Sequence, residues 1–209
     1  MTETPHAPES SPIAEAKAAA RLAAFARRKV AREALGPAPV AATEALLRAF
    51  ARESAVTVSA YMPIRTEIDP RPALAALHAE GRRLCLPVVE GPGRPLRFRA
   101  WAPGDTLVPG VFGAPAPAAG DWVTPEALIV PLAAYDSLGY RLGYGGGFYD
   151  RTLAGLPGAR ALGFAYADQF APEPLPREAT DVPLAAIATE DGVFRPDAPA
   201  AAAPAAPRR

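Results

Sequence analysis

Residues 131–153 read PLAAYDSLGYRLGYGGGFYDRTL, and the fold follows from how this stretch is parsed. The apolar run ALIVPL (127–132) just before and into it has the length and composition of a buried strand, and the segment from Phe148 onward has the look of a helix start. Between them lies a glycine-rich turn, so the expected order is strand, anion loop, helix. Gly143, Gly145, Gly146 and Gly147 can take positive φ and bring backbone N–H groups close to an anion, toward which the following helix points its positive dipole end. Arg141 and Arg151 bracket the loop with permanent planar cations, and Asp150 offers a hard oxygen ligand suited to Mg²⁺. Together these residues point to a nucleotide with its metal. The loop contains no lysine, matches no GxxxxGK[ST] string and meets GxGxxG only loosely, so an ordinary turn between strand and helix stays open on these residues alone.

Outward from the loop, strands alternate with helices. Ser11 and Pro12 make a helix opening, and an Ala/Arg-rich run continues to Leu35 before Gly36-Pro37 stops it. A second helix is expected at about 40–52, a strand in AVTVSAYM from Ala55, and a helix at 70–80 that Asp69 either caps or leaves as plain loop. RLCLPVV is a second strand. PLRFRAW is a third, with an outward row of Arg97, Arg99 and Trp101 that reads as a charged edge or as a stacking surface for a flat heterocycle. Residues 103–125 form a long Pro/Gly-rich connection with Val111, Phe112 and Trp122 as expected anchors. Strands at 159–165, 184–189 and 191–194 complete an α/β chain with a largely parallel sheet in one domain, 11–194, between polar or Pro/Ala-rich tails at 1–10 and 195–209 expected to be disordered.

Composition excludes several chemistries. The chain is 50% hydrophobic with formal net charge zero, and its 22 basic residues are scattered, which points away from nucleic acid. Cys85, the single cysteine, sits in an apolar run and reads as core. His6 and His78 fall in a tail and on a surface helix, leaving no Ser/His/Asp or Cys/His set and no histidine metal site. Without a secretory h-region or an apolar stretch near the length a bilayer needs, a cytoplasmic protein acting away from membranes is expected. Lys17 and Arg21 lie four apart on one helix face. Where the chain spends arginine on generic surface charge, one of its two lysines at 17 hints at a phosphate contact, against the plain alternative of a solvated face. Arg65, Glu67 and Asp69 follow the first strand, at the end of a sheet where ligands bind.

The string DSLGYRLGYGGGFYDRTL resembles the signature of the 5-formyltetrahydrofolate cyclo-ligase family, in which an RLGxGxGxYD segment follows an apolar strand and carries ATP contacts. Lys17 and Arg21 match the family's amino-terminal KxxxR, YMPIRTEID its strand and loop with Glu67, and LGFAYADQF and TDVPLAAIATEDGVF its close. The resemblance runs from about residue 17 to 194 and implies an α/β fold like the ribose-phosphate isomerase and CoA-transferase group. It implies ATP- and Mg²⁺-dependent conversion of 5-formyltetrahydrofolate to 5,10-methenyltetrahydrofolate, by an enzyme expected to be monomeric. It further implies Lys17 and Arg141 as catalytic cations; ATP contacts from Lys17, Arg21, Arg141, Leu142, Gly143, Tyr144, Gly145, Gly146, Gly147, Phe148 and Tyr149; folate binding by Glu67; and Mg²⁺ on Asp150 and Asp181. Gln169 is expected near the site. Thr180, Ala185 and Phe148 depart from the family pattern, where His, an acid and Tyr are common, but none removes an implied metal ligand. Two other readings are a same-fold enzyme for another formylated or sugar-phosphate substrate, and a nucleotide or folate binding module without turnover.

Overall fold

The computed structural model describes residues 11–51 and 56–196. Both expected tails, His6 and the junction of the second helix with the first strand lie outside the described residues, apart from Arg195 and Pro196. Helix α1 (Pro12–Leu35) begins as its sequence dictates: Ser11 Oγ accepts from Ala14 N, Pro12 occupies the first turn and Gly36 closes the last. Its buried stripe is Lys17, Ala24, Arg28 and Ala31, near the 3.5-residue period of a helix packed along its length. Then come α2 (Val40–Phe50), β1 (Thr57–Ser59), α3 (Arg71–Ala79), β2 (Arg83–Val88), β3 (Arg97–Ala100), β4 (Leu107–Val108), β5 (Ala116–Pro117), β6 (Trp122–Val123), β7 (Ala127–Pro131), β8 (Ala134–Tyr135) and β9 (Arg141–Leu142). They are followed by α4 (Phe148–Gly155), β10 (Arg160–Phe164), β11 (Ala186–Thr189) and β12 (Gly192–Phe194).

Eight strands form one sheet in the order β12-β11-β10-β7-β1-β2-β3-β6. The central pairings β11–β10, β10–β7, β7–β1 and β1–β2 are parallel, while antiparallel pairs finish both sides. Parallel strands buried on both faces need side chains that are apolar whichever way they point. In β7, Ala127 and Ile129 join the core beneath α2 and α3, whereas Leu128 and Val130 join the core that contains Leu153 of α4. Every residue from Ala127 to Val130 is fully buried. Burial of this kind contributes about 25 cal/mol per Å² of apolar surface removed from water, which makes β7 the axis of the fold.

Several expectations change in detail. The glycine loop does not follow β7 directly: a hairpin of β8 and β9 intervenes. Buried Asp136 organises it, with Oδ1 accepting from Leu138 N and Tyr140 N and Oδ2 from Leu175 N. Trp101 is not part of an outward row, being 9% exposed in the core, and β3 is not an edge, since β6 pairs with it. Arg97 and Arg99 instead stack on Trp122, 3.9 and 4.5 Å from its ring. Trp122 and Val111 are exposed rather than anchoring, and the side chain of Phe112 lies outside the described residues. Asp69 does not occupy the cap position of α3, which is Pro70, yet its carboxylate accepts from Arg71 N at 2.9 Å. Cys85 and His78 fall where expected, one buried and one exposed.

Candidate active site

Helix α1 lies over the carboxyl ends of the central strands. Its basic residues reach loops that follow three different strands: Arg28 NH1 donates to Leu132 O after β7, Arg32 NH1 to Glu67 O after β1, and Arg27 Nε to Asp168 O after β10. This is the end of a parallel sheet at which backbone polarity and diverging loops form binding crevices.

The glycine loop runs from Gly143 to the first turn of α4. Gly145 (φ 96°) and Gly147 (φ 63°) adopt positive φ, while Gly143 and Gly146 do not, so only half of the expected glycine freedom is used this way. Gly147 is the left-handed cap of α4, a conformation an L side chain reaches at a cost of about 1–2 kcal/mol. A Cβ on Gly146 would meet the Phe148 ring at 2.6 Å, so that glycine serves close packing instead. Arg21 holds the loop from outside, with Nε donating to Gly143 O at 3.0 Å and its guanidinium against Gly145. Arg151 NH2 donates to Gly146 O.

Arg141, its side chain 4% exposed, donates from NH1 to Val182 O at 2.6 Å and from NH2 to Asp150 Oδ1 at 3.0 Å. The same Oδ1 accepts from Val182 N at 3.2 Å. Asp181, next in the chain to Val182, accepts at Oδ2 from Glu178 N and from Lys17 Nζ at 2.6 Å, and Lys17 also reaches Glu178 at 2.9 Å. Burial disfavours the Lys17 ammonium, but the hydrogen bonds it donates to its two carboxylate partners outweigh that and raise its pKa above the usual lysine value. Asp150 and Asp181 are therefore linked through one short backbone segment. Two hard carboxylates beside an anion loop match the way Mg²⁺ is held, by one or two carboxylates with substrate phosphates and water completing the octahedron. Among the described residues no group of three or more His, Cys, Asp or Glu gathers as a cage.

Glu67 stands across from the loop, 4% exposed. Its Oε2 accepts from Ile64 N at 2.9 Å, and Oε1 lies 3.9 Å from Arg28 NH1. Burial raises its pKa, with the Ile64 amide, Arg28, Tyr144 and Arg65 pulling the other way. Arg65 beside it has φ 54°, a strained value for a residue with a side chain. Tyr149 packs against the second core cluster, and burial raises its pKa strongly.

Residues 15–190 match the sequence profile of the 5-formyltetrahydrofolate cyclo-ligase family. The chain belongs to that family. Among curated members, the 5-formyltetrahydrofolate cyclo-ligase of Escherichia coli (strain K12) is 35% identical over 147 residues, spanning 66% of this chain and 80% of the relative. That of Mycolicibacterium smegmatis is 34% identical over 143 residues, spanning 64% and 73%. The NMR structure of Aquifex aeolicus 5,10-methenyltetrahydrofolate synthetase superposes with a TM-score of 0.68 at 30% identity, covering 86% of this chain and 92% of that one. A Mycoplasma pneumoniae 5,10-methenyltetrahydrofolate synthetase has a TM-score of 0.66 at 20% identity and shares the fold.

Within this cyclo-ligase family member, the sequence-predicted residues form two neighbouring groups. Arg21, Arg141, Leu142, the glycines, Phe148 and Asp150 form or flank the loop, Lys17 and Asp181 pair with each other, and Glu67 faces Tyr144 at the loop's edge. Lys17 does not touch the glycine loop, its bonds running to Asp181 and Glu178. Gln169 sits behind the site as a brace, Nε2 donating to Leu132 O and Ala133 O and Oε1 accepting from Tyr166 N. Sequence reasoning missed Arg28, which is fully buried between the two groups. The signal was its place in the stripe 17, 24, 28, 31, where a solvated arginine does not belong. Two cavities of about 280 and 360 Å³ open elsewhere, along β3 with α4 and near His78 and Trp101, and neither is lined by these residues.

Proposed function

We propose that the chain catalyses the ATP- and Mg²⁺-dependent cyclisation of 5-formyltetrahydrofolate to 5,10-methenyltetrahydrofolate, releasing ADP and phosphate. The observation that carries this reading is the arrangement of Arg21 and Arg141 around a glycine loop that opens α4, in a chain of the cyclo-ligase family. Phosphate oxygens would meet backbone N–H groups at Gly145 to Gly147 and the positive end of α4, with guanidinium groups on either side.

A formamide carbon is a poor electrophile and its oxygen a poor leaving group. Transfer of the γ-phosphoryl to the formyl oxygen breaks the bond to the β-phosphate, releases ADP and leaves an iminium phosphate. N10 of the same molecule then attacks the formyl carbon, the C–O bond breaks, phosphate departs carrying the formyl oxygen, and N10 loses its proton. The nucleophile belongs to the substrate, so the chain supplies orientation and charge rather than a covalent residue. Arg141, fixed by Val182 O and Asp150, offers donors that need no reorganisation as charge moves from the γ-phosphoryl to the β-phosphate. Arg21 holds the loop while it wraps the phosphates, and Lys17 steadies Asp181. Asp150 and Asp181 would hold Mg²⁺, which neutralises and orients the triphosphate when bound. Glu67 accepts a hydrogen bond from the reduced pterin or orients the formyl group.

The chemistry needs neither nucleic acid nor a membrane, and no helix among the described residues is long and apolar enough to cross one. We further take the chain to act as a cytoplasmic monomer. Absorbance of the methenyl product should appear only when 5-formyltetrahydrofolate, ATP and Mg²⁺ are all present. Binding of both substrates without product would identify a binding module instead, and turnover with a different formylated substrate alone would reassign the specificity.

A further inference from the structure

Arg28 is the largest of the fully buried side chains, at 1% exposure. A guanidinium taken out of water is costly unless its donors find acceptors. Here the donors diverge. Nε reaches Thr66 Oγ1 at 3.0 Å, NH1 reaches Leu132 O at 3.3 Å, and NH2 reaches the Tyr144 hydroxyl at 2.7 Å. The nearest carboxylate atom, Glu67 Oε1, is 3.9 Å away, outside direct hydrogen-bond reach. Tyr144, having accepted from Arg28, keeps its own proton, and its hydroxyl lies in the field of the Glu67 carboxylate. Its ring lies 5.1 Å from that of Phe25, and the Arg28 guanidinium sits 5.2 and 5.5 Å from the two ring centroids. One planar group is thus fastened to α1, to the loop after β1, to the end of β7 and to the glycine loop.

We propose that Arg28 is a positioning residue that couples the two halves of the reaction site, keeping the Glu67 carboxylate and the Tyr144 corner of the glycine loop in register through a single buried guanidinium. The proposal rests on the assignments of Glu67 to the folate and of residues 143–147 to ATP. Lysine cannot replace it, because an ammonium at one point does not span acceptors on three elements as a rigid fork does. The groups facing Glu67 are Arg28, Arg65, Tyr144, Tyr61 and Tyr149 with the Ile64 amide, and Arg32 holds its backbone carbonyl. Removing the Arg28 charge therefore takes away a group that favours the ionised carboxylate.

The test compares wild type, Arg28→Lys, Tyr144→Phe and the double variant in steady-state kinetics with both substrates, with thermal unfolding followed alongside. Each single change should raise KM for 5-formyltetrahydrofolate and KM for ATP by about tenfold, as expected for loss of a hydrogen bond to a charged group. The double variant should be no worse than Arg28→Lys, since both break the same chain of contacts. In Arg28→Met the acid limb of kcat/KM for folate should move to higher pH. A purely structural role would lower the active fraction, and hence kcat and Tm, with both KM values unchanged; that result, or additive losses in the double variant, would overturn the proposal. Glu67→Gln serves as the control. A damaged Glu67→Gln beside an unaffected Arg28→Lys defeats the coupling alone, whereas wild-type kinetics in Glu67→Gln removes the folate assignment and the proposal with it.

Discussion

Replacing Asp150 with asparagine separates structural from metal-binding roles in one atom pair. Both hydrogen bonds to the Asp150 side chain, from Arg141 NH2 at 3.0 Å and Val182 N at 3.2 Å, fall on Oδ1. A carboxamide turned with its oxygen at that position keeps both, so the geometry survives and only the charge is lost. A charge-assisted hydrogen bond contributes about 1.5–3 kcal/mol and a neutral one about 0.5–1.5, so the substitution should cost about 1 kcal/mol of stability. For a chain of this size that is a fall in Tm of about 2–4 °C. On the proposed metal role the function should suffer more, since Mg²⁺ would lose an anionic ligand that the amide oxygen replaces poorly. At a fixed Mg²⁺ concentration kcat/KM for ATP should drop at least tenfold, about 1.4 kcal/mol in the barrier, and part of the loss should return as Mg²⁺ is raised. The assay is methenyl absorbance across a Mg²⁺ titration. Wild-type turnover with an unchanged Mg²⁺ dependence would refute the metal role of Asp150.

Other expectations concern the same site. Arg141→Ala should lower kcat/KM by about 2–4 kcal/mol of transition-state stabilisation, and a loss under tenfold would put Arg141 outside contact with the reacting phosphates. Gly147→Ala imposes φ 63° on a residue with a Cβ that lands 2.7 Å from Arg151 NH1, so it should cost about 1–2 kcal/mol and raise KM for ATP; circular dichroism melts with kinetics would show neither if the cap were tolerant. Burial raises the pKa of Glu67 above the ordinary 4.5, so the folded chain holds that proton more tightly than the unfolded one. Its contribution to stability is therefore lost as pH rises through the raised value, while activity, which on the proposed folate contact needs the ionised form, should climb over the same window with an acid limb above 4.5 that Glu67→Gln lacks. Cys85, buried and pushed up to about 12, should resist alkylation in the native state, and rapid labelling would contradict its place in the core.

The sequence made α1, β7, the glycine loop and α4 legible because each is specified locally, by caps, by an unbroken apolar run or by clustered glycines. The hairpin of β8 and β9 was not legible. Its strands are two residues each, too short to carry a period, and Asp136, which fixes its turn, looks like any loop acid until its three backbone donors are seen. Trp101 and Trp122 were misjudged for a related reason: alternation in β3 stops at Ala100, so parity no longer says which way Trp101 faces. The candidate site was readable where residues act through backbone geometry near one another in sequence. Arg28 escaped because its partners, Thr66, Leu132 and Tyr144, are brought to it only by the fold, and in an Ala/Arg-rich helix one more arginine looks solvated.

In the proposed reaction the loop at 143–147 and its cations deliver a phosphoryl group to the formyl oxygen. Turnover of 5-formyltetrahydrofolate carrying ¹⁸O in the formyl group tests it directly. The label should leave in inorganic phosphate, one labelled phosphate for each methenyl product formed. Methenyl product accompanied by unlabelled phosphate would contradict the account.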